Sequence, residues 1–167
     1  MLKWAMIFFL VGFGSPAFAD YLAGKEAYDN GDFQRALELL LPFAKDGDPK
    51  SQNLIGVMYD NGEGVPEDNA EAIKWVRLAA EQGDANGQNN LGIMHEYGEG
   101  VVENKAEAVK WYRMAAEQGD ATGQYYLGTM HYYGEGVPVD NDEAVKWYRL
   151  AAEQGNADGQ NSLGVVY

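Results

Sequence analysis

Two histidines, His95 and His131, are the residues best suited to acid–base or metal chemistry in this 167-residue chain. They lie 36 residues apart, and a further step of 36 in either direction reaches Tyr59 and Tyr167. Tyrosine standing in for histidine points to a packing or hydrogen-bonding role. If the spacing marks a structural repeat, equivalent residues sit roughly 10 Å apart, one helix-packing distance. Two imidazoles so placed cannot share a metal, which needs nitrogens at about 2 Å. No motif sets a serine nucleophile beside either histidine. The chain has no cysteine, which removes disulfides, thiolate nucleophiles, zinc–sulfur sites and lipoprotein anchoring. The expectation is a protein that is not an enzyme, with no cofactor and no metal site.

Three other patterns carry a chemical suggestion and are explained more simply. Gly62-x-Gly64, Gly98-x-Gly100 and Gly134-x-Gly136 lack the third glycine and following lysine of a phosphate-cradling loop, and they read as helix stops and turns. Asp140-Asn141-Asp142 and Glu67-Asp68-Asn69 lack the spacing and terminal glutamate of a calcium loop, and helix capping accounts for them. The Lys-Trp-Tyr-Arg runs at 110–113 and 146–149 mix basic and aromatic residues, but helical geometry spreads them around the axis. A net charge of −14 repels phosphate backbones and anionic headgroups, so nucleic acid and membrane surfaces are disfavoured as partners. The same acidity also serves solubility.

The elements that must position these residues come from an internal repeat. Residues 47–82, 83–118 and 119–154 share one skeleton, and 155–167 begins a fourth copy. Gln52, Gln88, Gln124 and Gln160 share one register, and Trp75, Trp111 and Trp147 another. A fixed period of this length signals a solenoid. Each unit reads as helix A, loop, helix B. Helix A follows a capping Asp48, Asp84, Asp120 or Asn156 and stops at Gly62, Gly98 or Gly134, where a left-handed cap needs no Cβ. Helix B starts near Asn69, Lys105 and Asn141 and ends at Gly83, Gly119 and Gly155. Its acid–base pairs Glu71–Lys74, Glu107–Lys110 and Glu143–Lys146 have i, i+3 spacing. Gly56, Gly92, Gly128 and Gly164 sit in mid-helix, where glycine costs about 1 kcal/mol relative to alanine. Their recurrence predicts close packing of helix A on helix B, beside Ala79, Ala115 and Ala151.

Residues 20–46 form a shorter hairpin of the same kind. Tyr28-Asp29-Asn30-Gly31 repeats as Tyr59-Asp60-Asn61-Gly62, with a loop five residues shorter. Ala36, Leu39, Leu40, Phe43 and Ala44 take the i, i+3, i+4, i+7, i+8 spacing of one apolar helix face. Before it, residues 1–19 read as a secretory signal peptide: a basic start at Lys3, an apolar run of ten from Trp4 to Phe13, and Ala17-Phe18-Ala19 as the cleavage pattern. That run is short of the roughly 20 residues that span a bilayer. The mature chain is expected to start at Asp20, to be periplasmic or secreted, to have no membrane insertion, and to be one unit more acidic.

The motif Leu127-Gly128-x-Met130-x-x-x-Gly134-Glu135-Gly136-Val137-Pro138, followed by Ala144-x-x-Trp147-Tyr148-x-x-Ala151-Ala152-Glu153-Gln154-Gly155, resembles the Sel-one-like repeat (SLR) of the tetratricopeptide repeat superfamily, in its bacterial, secreted type. The resemblance covers residue 47 to the C-terminus, with 20–46 similar to a tetratricopeptide-type hairpin. It implies an all-α fold, a right-handed superhelix of antiparallel helix pairs with helix A on the concave face, and a role as adaptor or scaffold. Some cysteine-rich members have been linked to β-lactam hydrolysis; without cysteine, that activity is not implied here.

Comparing the copies locates a candidate binding face. On helix A, Gln52, Ile55, Gly56 and Tyr59 are constant, whereas Lys50/Asn86/Thr122/Asp158, Leu54/Asn90/Tyr126/Ser162, Val57/Ile93/Thr129/Val165 and Asn61/Tyr97/Tyr133 vary. At about 100° per residue the two sets point in nearly opposite directions. Helix B varies little. The varied stripe, represented by Leu54, Asn61, Asn90, Tyr97, Tyr126 and Tyr133, is the expected site for a protein or peptide partner. Tyrosines there either meet the partner, as interface hot spots do, or fill gaps between repeats. On the first reading, Tyr126→Ala and Tyr133→Ala weaken binding with little loss of melting temperature. Two functions fit: an envelope adaptor, or a periplasmic regulator that binds and inhibits a membrane sensor. The fourth unit stops at Tyr167 without its helix B, which reads either as a fragment of a longer repeat protein or as an edge for self-association.

Overall fold

The computed structural model describes residues 16–166; the charged start and apolar run of the expected signal peptide lie outside the described residues. Among the described residues the chain is all helical. Its elements are α1 (Pro16–Asp29), α2 (Phe33–Lys45), α3 (Pro49–Asn61), α4 (Asn69–Glu81), α5 (Ala85–Tyr97), α6 (Lys105–Glu117), α7 (Ala121–Tyr133), α8 (Asn141–Glu153) and α9 (Ala157–Val166). Each helix packs on the next in sequence, and α3 also meets α5, as α5 meets α7. The odd-numbered A helices therefore form the inner layer of a solenoid, and the even-numbered B helices the outer one.

Capping sets the boundaries. Asp48, Asp84, Asp120 and Asn156 each accept a hydrogen bond from the backbone N–H three residues on, at 2.7–2.8 Å. Asp68, Asn104 and Asp140 do the same for the B helices, satisfying donors that a helix start leaves open. The expected Lys74–Glu71, Lys110–Glu107 and Lys146–Glu143 pairs form on the exposed face at 2.7, 2.6 and 2.9 Å. In each Gly-x-Gly the first glycine stops the A helix in the left-handed region, as Gly62 does at φ 69°. The second glycine makes room for a neighbour, because a Cβ on Gly100 or Gly136 would strike the backbone of Asn69 or Lys105 at the start of the preceding B helix. The loop thus rides directly over that helix.

Gly56, Gly92 and Gly128 are close-packing positions, but against partners one turn from those expected; a Cβ on Gly164 would meet no neighbour within 4 Å among the described residues. A Cβ on Gly56 would lie 2.5 Å from Val76, one on Gly128 would lie 2.8 Å from the Tyr148 ring, and one on Gly92 would overlap the Tyr112 ring. Ala79, Ala115 and Ala151 instead back Gly87, Gly123 and Gly159 of the following A helix. Both sets share one face of the B helix. Which set meets which neighbour depends on the crossing of the helices, and periodicity does not encode that.

Glutamine clasps tie the layers together. Gln52 donates through Nε2 to the Ala44 carbonyl at 2.9 Å and accepts through Oε1 from Gln82 at 2.7 Å. Gln88 and Gln124 repeat both bonds, with Ala80 and Gln118, and with Ala116 and Gln154. Each buried amide therefore joins the preceding B helix to the end of its own. The apolar core runs alongside in three successive clusters, around Leu40 and Ile55, Val76 and Leu91, and Leu127 and Trp147.

Candidate partner-binding face

The A helices bring the six expected site residues onto one side in two rows. Leu54, Asn90 and Tyr126 form the lower, half-buried row. Asn61, Tyr97 and Tyr133 form the upper row at the helix ends, with Tyr97 67% and Tyr133 66% exposed. Residues one repeat apart lie about one helix-packing distance from each other, so the rows run along the solenoid.

The lower row is held by the fold. Leu54 lines a groove of about 260 Å³ with Tyr21, Lys50, Asn53 and Asp84; Lys50 lies over the Tyr21 ring, 5.9 Å from its centroid. Asn90 donates to Asn53 at 2.8 Å. Tyr126 stacks on the fully buried Tyr112, with centroids 4.8 Å apart at 26°, and packs on the core cluster of α6–α8. Tyr126 thus fills space between repeats, the second of the two roles open to it, and its removal is expected to cost stability. The Tyr112 hydroxyl donates to Glu96 at 2.7 Å; burial, and then that bond, push the Tyr112 phenol far above its usual range. Sequence comparison passed over Tyr112, although Val76 in the preceding copy marks the position as variable.

The upper row projects outward. Tyr133 meets Tyr132 edge-on at 4.9 Å, and Tyr97 stands beside Glu96, whose charge is the first cause of its raised pKa. Asn61 donates to Glu63 at 3.3 Å, and Glu63 also accepts from the Tyr28 hydroxyl at 2.8 Å. Burial and that acceptor push Tyr28 to about 12.

The two histidines stay in separate junctions. His95 is buried beside Arg77 and Glu107, and neither ring nitrogen has a hydrogen-bond partner among the described residues. His131 is buried with Nε2 at 3.5 Å from Arg113. Burial and the neighbouring arginine lower both histidine pKa values. Among the described residues, no three His, Cys, Asp or Glu side chains converge to hold a metal, and no helix is long and apolar enough to cross a membrane.

Stacked helix pairs presenting an aromatic inner face define the class: an αα solenoid of the protein-interaction kind. The chain belongs to the Sel1 repeat family, whose repeats match at residues 17–48, 49–84, 85–120 and 121–156. It is a right-handed superhelix, and Sel1 repeat proteins are in general non-catalytic scaffolds for protein–protein interaction. No curated protein matches the chain. A Sel1 repeat protein from Oxalobacter formigenes is 40% identical with a TM-score of 0.82, over 89% of this chain and 59% of that one. A protective antigen of uropathogenic Escherichia coli displaying an SLR fold is 32% identical with a TM-score of 0.57, over 90% of this chain and 41% of that one. The cysteine-rich protein B of Helicobacter pylori shares the fold at 24% identity and a TM-score of 0.58, over 91% of this chain and 100% of that one. The chain thus spans about three fifths of the first relative and two fifths of the second.

Proposed function

We propose that the protein is a non-catalytic adaptor of the bacterial envelope that holds a peptide or protein partner along its A-helix face. One observation carries this reading: Tyr97 and Tyr133, equivalent residues of successive repeats, are both about two-thirds exposed. Tyrosine offers a rigid apolar ring with a hydrogen-bonding tip and is enriched where interfaces concentrate their binding energy. An exposed pair in repeat register is a surface on which one extended partner engages both rings. Localisation to the periplasm or outside the cell rests on the character of residues 1–19, with their basic start, apolar run and Ala17-Phe18-Ala19.

The test is crosslinking capture from envelope fractions with the wild-type protein and a Tyr97→Ala/Tyr133→Ala variant. A partner held by the wild type and lost by the folded variant is expected; equal capture by both overturns the assignment of the face. Mass measurement of the protein from cells is expected to find Asp20 at the N-terminus, and an intact Met1 would remove the envelope placement.

A further inference from the structure

A cavity of about 150 Å³ opens between α3 and α5, with Val57, Val76, Ile93 and Met94 as its apolar walls and Asp60, Asn90 and Glu99 as its polar ones. The next junction, between α5 and α7, shows what fills this space. There Tyr112 stands at the position of Val76, stacked on Tyr126 at the position of Asn90. Its hydroxyl donates to Glu96, which occupies the position of Asp60. Lys105, at the position of Asn69, pairs with Glu135, the counterpart of Glu99, at 2.9 Å. The filled junction thus answers its two carboxylates with a flat ring, a donor and a cation.

The α3–α5 junction keeps both carboxylates and has none of those three. Val76 is too short, Asn90 offers no ring, and Asn69 carries no charge. Among the described residues, no cation or hydrogen-bond donor engages the side chain of Asp60 or Glu99. Burial and then Glu67 push the Asp60 carboxyl up; burial and then Asp60 itself push Glu99 up. Asp60 and Glu99 thus line one cavity with apolar walls, poorly solvated and each next to a further negative charge, and a cation relieves both costs.

We propose that this cavity is a socket for an arginine side chain of the partner polypeptide. Guanidinium combines what the neighbouring junction obtains from two residues: a flat face that stacks on apolar walls, and permanently charged N–H donors in a fork matching carboxylate oxygens. Lysine supplies charge without the plane, and tyrosine the plane without charge. A dry cavity of about 150 Å³ accommodates a benzene ring, so a guanidinium and its stem fit. The net charge of −14 draws cationic segments to the face. Val57, Asn90 and Ile93 belong to the varied A-helix stripe, so the inference rests on the adaptor reading and names one side chain the partner brings.

The test is an NMR titration of the isotope-labelled protein with acetyl-Gly-Arg-Gly-amide and its lysine and citrulline counterparts. Saturable shifts are expected at the amides of Val57, Asp60, Ile93 and Glu99, with the arginine peptide binding at least about tenfold tighter than the neutral citrulline one, as charge-assisted bonds require. Val76→Tyr, which installs the ring of the neighbouring junction, is expected to abolish these shifts. Asp60→Asn/Glu99→Gln, at side chains with no partner to lose, gives an independent reading and is expected to weaken binding at least about tenfold. Equal binding of citrulline, shifts elsewhere on the molecule, no saturable shift, or indifference to the carboxamide variant would each overturn the socket. If the titration fails while capture through Tyr97 and Tyr133 succeeds, the socket falls and the adaptor reading stands. A positive titration with failed capture separates the two in the other direction.

Discussion

The ring of Tyr126 lies flat against that of Tyr112, 4.8 Å between centroids, while Tyr97, on the same face one repeat earlier, extends into solvent. Tyr126→Ala is therefore expected to cost about 2 kcal/mol, combining lost burial with a lost stacked pair. Tyr97→Ala and Tyr133→Ala are expected to stay within about 0.5 kcal/mol of wild type. Urea unfolding of the three variants checks this ordering, and equal losses would mean that the exposed tyrosines are structural after all.

The clasps give a second contrast. Gln88 is 1% exposed, and Gln88→Ala removes its bonds to the Ala80 carbonyl and from the Gln118 amide. The Ala80 carbonyl still accepts from the Gly83 N–H, and the exposed Gln118 still reaches the Met114 carbonyl. Two lost hydrogen bonds at about 0.5–1.5 kcal/mol each give an expected cost of about 1–3 kcal/mol. Gln160 is exposed and donates one bond, to the Ala152 carbonyl; Gln160→Ala is expected to cost less than about 1 kcal/mol. Chemical denaturation of both variants measures the difference.

An added methyl at Gly92 meets the Tyr112 ring. Gly92→Ala is expected to destabilise by about 1–3 kcal/mol through overpacking. Urea unfolding checks this; a gain in stability, which helix propensity alone would give, would mean that the ring gives way without cost.

His95 and His131 are expected to make stability fall in mild acid. Their folded-state pKa values lie below the usual 6.5, so the unfolded chain takes up protons first as pH falls. Stability is full above that value and is lost as pH drops from about 6.5 towards the folded values. Asp60, Asp84 and Glu99, whose pKa values are raised, act in the opposite direction. The histidine contribution is therefore read as a difference between wild type and His95→Tyr/His131→Tyr, which copies Tyr59. The variant's urea midpoint is expected to fall less than the wild type's between pH 7.5 and 5.5. Parallel profiles would place the acid sensitivity elsewhere.

Much of the architecture was legible because it is written locally. Asp84 before its helix and Gly98 after it are short-range signals, and the 36-residue period repeats each of them until chance is excluded. Gln52, Gln88 and Gln124 were visible as a constant register, but not that each holds two other helices by hydrogen bonds. That depends on which helix end its amide reaches. The glycine contacts were misassigned by one turn, to Ala79 instead of Val76, because a helical stripe fixes which face is buried and not the crossing point. Tyr126 looked free because it varies among copies. Tyr126 stands opposite Tyr112 where the preceding copy sets Asn90 opposite Val76, but the next copy sets Ser162 opposite Tyr148, so the copies give no pairing rule from which the stack is legible. The smaller pair, Val76 and Asn90, borders the cavity between α3 and α5.

The glutamine clasps sit on the constant side of the A helices, and the residues that fill or empty a junction sit on their varied side, Asn90 and Tyr126, and on the facing B helix, Val76 and Tyr112. On the adaptor reading proposed above, shape and recognition are therefore inherited separately in this chain. A change at 76 or 90 alters what one junction accepts without disturbing the bonds that set the stacking of the helices. Each junction is an independently editable character in a string, and copies of one 36-residue unit can diverge into a reader of extended, heterogeneous partners while the frame stays the same.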